Sequence, residues 1–103
     1  MEKNTPHYEL AVIKAQVRRL GGNAFTNSAK NTAWALGLNV WHMQEIISEL
    51  QRQHFYKSMT TYDDHRVWHD VYHLNSQGLE IYIKVTYRPS GGPPVISFKE
   101  KNS

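Results

Sequence analysis

The 103-residue chain carries 12 Lys and Arg against 9 Asp and Glu, a formal net charge of +3, with 40% hydrophobic residues and no cysteine. A chain this short holds one core and leaves no room for a second domain, so residues 1–103 read as a single unit. Without cysteine it has neither disulfides nor thiolate zinc sites, and no apolar run approaches the ~18 residues of a membrane span.

The opening residues, Met1-Glu2-Lys3-Asn4-Thr5-Pro6, lack the apolar stretch of a secretory signal, which predicts a cytoplasmic protein. Residues 8–20 place Leu10, Ile13, Val17 and Leu20 on one helical stripe, stopped by Gly21-Gly22. Thr26 or Asn27 caps a second helix carrying Ala29, Ala33 and Leu36 and ended by Gly37. Asn39 caps a third, whose buried stripe is Val40, Met43, Ile46, Ile47 and Leu50. Trp34 and Trp41 fall within these helices and read as packing residues.

The second half changes period. Residues 55–59 and 67–73 read as strands joined by a turn over 60–65. Leu79, Ile81, Ile83, Val85 and Tyr87 then alternate with Glu80, Tyr82, Lys84, Thr86 and Arg88, a strand with one buried and one exposed face. Residues 89–94, rich in Pro and Gly, form a loop. In the last strand Ile96 and Phe98 point one way, Ser97 and Lys99 the other. Three helices followed by about four antiparallel strands make an α+β domain with helices packed on one sheet face.

Pairing of the last two strands brings Tyr82 and Lys84 near Lys99 on the exposed face. Lys57 and His69 sit on the two preceding strands, but Lys57 shares parity with Phe55 and Met59, and His69 with Val67 and Val71. Simple alternation turns both toward the core unless a bulge or sheet edge re-aims them. Metal-free cleavage of RNA needs a base for the 2′-OH proton, cations for the charge on phosphorus, an acid for the departing 5′-oxygen, and contacts that align the attack. Lys, His and Tyr supply all four, although exposed lysines on a strand are also the commonest kind of solvated surface. Tyr56 is a candidate base-stacking side chain, and Lys84 and Arg88 are candidate phosphate contacts. Asp63-Asp64-His65 reads as a strand-terminating turn, because no HxH or HExxH spacing supports a metal site. His7, His42, His54 and His73 read as surface residues.

Several segments together carry a resemblance: Glu2-Lys3 with Thr5-Pro6-His7, the block Phe55-Tyr56-Lys57-Ser58-Met59-Thr60-Thr61-Tyr62, then Asp64-His65, Trp68, Asp70-Val71-Tyr72, and Val95-Ile96-Ser97-Phe98-Lys99-Glu100-Lys101. In one register over essentially the whole chain, the sequence resembles the MqsR family, motility quorum-sensing regulators that are toxins of bacterial toxin–antitoxin pairs. The resemblance implies a RelE-like fold and a ribosome-independent endoribonuclease that cuts messenger RNA at short GC-containing sites. It also implies an MqsA-like antitoxin, zinc-bearing and with a helix-turn-helix domain. Position by position, the family's active-site lysine matches Lys57, its tyrosine Tyr82 and its C-terminal lysine Lys99. Its glutamine is His69 here. Histidine hydrogen-bonds as glutamine does and, with an unperturbed pKa of ~6.5, also transfers protons. The 89–94 loop is longer than the family's hairpin.

Two other functions compete. A winged-helix DNA binder fits three helices before a β region, but residues 40–50 hold Glu45 and Glu49 and no Lys or Arg, a poor surface for phosphates. A non-catalytic RNA-binding module would use the same aromatics and lysines of the sheet.

Overall fold

A computed structural model of the chain describes residues 1–102. The three expected helices form: α1 (Leu10–Leu20), α2 (Asn27–Ala35) and α3 (Val40–Glu49). Thr26 caps α2 by accepting from the Ala29 N–H, and Asn39 caps α3 by accepting from the His42 N–H. His42 Nδ1 accepts from the Asn39 N–H in return, so histidine completes a capping box that usually takes Glu or Gln. Gly37, at φ +82°, closes α2: its N–H donates to the Trp34 carbonyl and that of Leu38 to the Ala33 carbonyl. Helix α1 starts with the first residue of its stripe, Leu10, two residues later than the expected span of 8–20. The N–H groups of His7 and Tyr8 donate to the buried Asp70 carboxylate instead, tying the N-terminal segment to the sheet.

The strands are β1 (Glu2–Lys3), β2 (Phe55–Thr60), β3 (Trp68–Ser76), β4 (Leu79–Val85) and β5 (Val95–Glu100), one antiparallel sheet in that order. Two residues are too few to show a period, and β1 is therefore invisible in the sequence. Gln77 and Gly78, both at positive φ, make the tight turn between β3 and β4. Helices pack on one sheet face. The core joins Ile13, Val17, Ala29, Ala33, Met43, Ile46 and Ile47 to Tyr72, Leu74, Ile81, Ile83, Val85, Val95 and Phe98. The architecture is α+β, as the two periods require.

Two bulges decide which side chains leave the core. In β2, Phe55 pairs with Tyr72 and Lys57 with Val71, so Tyr56 is the extra residue. Phe55 packs on the core, while Lys57 lies on the other face despite sharing its parity. In β3 the core face is Asp70, Tyr72 and Leu74, the reverse of what Val67 and Val71 suggested. Val71 is fully buried yet outside the core cluster, because it is covered on the helix-free face. In β5, Lys84 pairs with Ser97 and Val85 with Val95, so Ile96 is skipped, and Val95 rather than Ile96 joins Phe98 in the core.

Beyond Val85 the alternation also fails. Thr86 is buried, its N–H donating to the Pro94 carbonyl and its hydroxyl to the Trp68 carbonyl, while Tyr87 and Arg88 are exposed. The expectation that Trp34 and Trp41 are packing residues is corrected: they are 77% and 63% exposed. Helix α2 buries only Ala29 and Ala33, and a residue directly after Ala33 lies roughly a quarter turn away from that narrow stripe.

Candidate functional site

The sheet face without helices carries two transverse rows of side chains. Cross-strand register builds the first from Lys57, Val71, Lys84 and Ser97. The second is His73, Tyr82 and Lys99, extended by Tyr56 from the bulge. Tyr56 stacks on His73 with ring centroids 4.4 Å apart and planes 23° apart, and His73 lies 5.5 Å from the Tyr82 ring. Lys99 Nζ is 5.2 Å from the Tyr82 centroid, Lys84 Nζ 6.0 Å from it, and Lys57 Nζ 5.6 Å from the Tyr56 centroid. Three ammonium groups thus meet two phenols on one open surface.

Each group is tuned by its neighbours. Lys57 Nζ lies 2.7 Å from Glu2 Oε1, a pairing that raises the lysine pKa and lowers that of the carboxyl. Burial lowers the Lys84 pKa, with the charges of Lys99 and Lys57 acting in the same direction. Burial raises the Tyr82 phenol, so that it is a neutral hydrogen-bond donor at neutral pH.

His69 sits opposite Met59, beside the first row. Burial, and then the charges of Lys84 and Arg88, push its pKa down to about 4, and its Nε2 is buried with no hydrogen-bond partner among the described residues. The expectation that it changes charge near neutrality is therefore corrected: at pH 7 it is a neutral imidazole, as uncharged as the glutamine it replaces. Arg88 is exposed and follows the end of β4, lining a separate cavity with Gln16, Arg19 and the 89–94 loop.

The structure thus groups Lys57, Tyr82, Lys84, Lys99 and Tyr56, sets His69 alongside, and leaves Arg88 at the margin. Sequence reasoning missed His73, which read as a surface residue and is half-buried between two aromatic rings. The available signal was the pairing of residues 73 and 82 in a tight hairpin. In the 60–65 turn, Asp64 pairs with Arg66 at 3.1 Å and its N–H donates to the Thr61 hydroxyl, which gives that carboxylate a structural role in the turn. No group of three His, Asp or Glu side chains among the described residues is arranged to hold a metal ion.

A family model described as motility quorum-sensing regulator, toxin of MqsA, matches residues 5–100. The chain is also similar to the mRNA interferase toxin MqsR of Escherichia coli (strain K12), 42% identical over 101 residues, which span 98% of this chain and 100% of the relative.

Proposed function

The chain belongs to the MqsR toxin family, and on that footing we propose that it is an endoribonuclease that cleaves messenger RNA with its own side chains. The observation that carries the reading is the convergence of Lys57, Lys84, Lys99 and Tyr82 on the one sheet face that no helix covers. In this reading the ribose 2′-oxygen attacks the adjacent phosphorus and the bond to the 5′-oxygen breaks. Lys57 and Lys99 neutralise the charge that gathers on the phosphoryl oxygens, and the Tyr82 hydroxyl donates to one of them. Lys84 holds the flanking phosphate electrostatically, and Tyr56, 55% exposed, offers a face for a base to stack on. Neutral His69 orients the substrate by hydrogen bonding, the service glutamine performs in the family.

The partner is an MqsA-like antitoxin. The family description supports a cognate antitoxin, and the zinc-bearing, helix-turn-helix form follows from the resemblance. No helix among the described residues is long and apolar enough to cross a membrane, and a messenger-RNA substrate supports a cytoplasmic location. Short GC-containing sites are the expected targets.

Incubation of purified protein with a long transcript in excess EDTA, followed by mapping of fragment ends, tests the reading. The expected result is cleavage with 2′,3′-cyclic phosphate and 5′-hydroxyl ends. Activity that requires added Mg²⁺, or fragments carrying 5′-phosphate, would overturn it, since 5′-phosphate requires attack by water. RNA retention without fragments would favour a binding module. The winged-helix alternative loses ground because α3 presents Glu45 and Glu49 and the sheet has five strands.

A further inference from the structure

We infer that His73 is the group that takes the proton from the attacking 2′-hydroxyl, an inference that rests on the ribonuclease reading. Its position carries the case. His73 lies directly across the ladder from Tyr82, which in turn pairs with Lys99, so it occupies the same transverse row as two proposed site residues. The stack with Tyr56 at 4.4 Å fixes the plane of the imidazole. Beside it opens a cavity of about 370 Å³ lined by His54, His73, Asn75, Glu80 and Lys101, which leaves room for a ribose at the ring edge.

The other members of the site suit the task less well. Lys57 is held as a cation by Glu2, and Tyr82 is held as a phenol by burial. His69 has its Nε2 buried and is aligned with Met59 rather than with Tyr82 and Lys99. His73 is left as an imidazole reachable from solvent within the row. The groups facing it are Tyr56 and Lys57 from β2, Tyr82 and Glu80 from β4, Lys101 after β5, and His54 before β2. Burial lowers its pKa, Lys101 and Lys57 act the same way, and Glu80 opposes them, which leaves the ring neutral and basic at pH 7.

The step balances without a co-reactant. The 2′-oxygen bonds to phosphorus as its proton passes to a His73 ring nitrogen, and the P–O5′ bond breaks with its electron pair leaving on the 5′-oxygen. That oxygen takes a proton from a lysine ammonium of the same face. Histidinium and lysine then re-equilibrate with solvent.

Single-turnover cleavage of a defined transcript across pH 4.5–8 tests the assignment on wild type, His73→Gln, His73→Phe and Lys99→Ala, each confirmed folded by thermal unfolding. Wild-type rate should rise with pH along a limb below neutrality, because only neutral imidazole accepts a proton. Both His73 variants should lose about 10²–10⁴-fold in rate together with that limb, the range of one general base. Phenylalanine preserves the stack, so a His73→Phe rate within a few-fold of wild type would overturn the inference by assigning His73 to stacking alone. A limb that persists in His73→Gln would overturn it as well. If wild type cleaves and Lys99→Ala does not, failure at His73 leaves the ribonuclease reading intact. No cleavage by wild type overturns both.

Discussion

Glu2 Oε1 and Lys57 Nζ stand 2.7 Å apart, so the second residue of the chain holds a proposed active-site lysine 55 positions later. Strand β1 makes this possible by pairing Glu2 with Met59 and Lys3 with Ser58, along the edge of β2. Glu2 is exposed and Lys57 partly so, and ion pairs open to solvent contribute little to stability. Its consequence is for ligand binding, since a phosphate approaching Lys57 competes with the Glu2 carboxylate.

Glu2→Gln should therefore tighten RNA binding and leave the fold intact. With the carboxylate gone, Lys57 neutralises one more phosphate, and the dependence of log K on log salt should steepen by about 0.7, as for one added single-strand phosphate contact. Because Glu2 has a depressed pKa, wild type should approach the variant only in acid, as the carboxylate is protonated. Filter binding at several salt concentrations and at two pH values checks this. Weaker binding by Glu2→Gln would show that the carboxylate helps to position Lys57 instead.

Lys57→Ala, Tyr82→Phe and Lys99→Ala should each lower the cleavage rate while the thermal unfolding transition stays near wild type. Loss of one transition-state donor corresponds to ~2–4 kcal/mol, or about 30- to 1000-fold in rate. Lys84→Ala should differ in kind, raising KM in a salt-sensitive way with a smaller change in kcat. Near-wild-type rates in all of the first three would show that the site has been misplaced.

His69 predicts a stability effect rather than a rate effect near neutrality. Its folded-state pKa is about 4 against an unperturbed ~6.5. Between those values the unfolded chain binds the additional proton, so stability falls as pH drops from 6.5 towards 4. His69→Gln should flatten that part of the Tm-against-pH curve and leave the pH–rate profile above pH 6 unchanged. A new or lost limb above neutrality in this variant would show that His69 titrates during catalysis.

Expression of the chain alone should arrest bacterial growth, and co-expression of the cognate antitoxin should relieve the arrest. Lys99→Ala should be tolerated without the antitoxin, because it removes cleavage and not folding. Harmless accumulation of folded wild-type chain, measured by soluble yield and growth rate, would count against the toxin reading.

The sequence alone determined the elements whose cause is local. The stripe Ile13–Val17, the caps at Thr26 and Asn39 and the glycine after α2 each act within one or two helical turns, and the alternation from Leu79 to Val85 states which face of β4 is buried. For that reason the sequence alone places Tyr82, Lys84 and Lys99 on one exposed face. It does not place Lys57, His69 and His73, because their orientation depends on partners far along the chain. The bulge at Tyr56 exists only against Tyr72 and Val71, so only the β2–β3 register turned Lys57 out of the core. Val71 looks like a core residue by composition, yet it is buried on the helix-free face, in register between Lys57 and Lys84, and a parity argument anchored on it points the wrong way. The identity of His69 suggested a switch near neutral pH, whereas its burial and the charges of Lys84 and Arg88 suppress that charge. Periodicity records how a strand meets its own core. Which neighbours a side chain faces across the sheet, and how well water reaches it there, was decided only when the five strands paired.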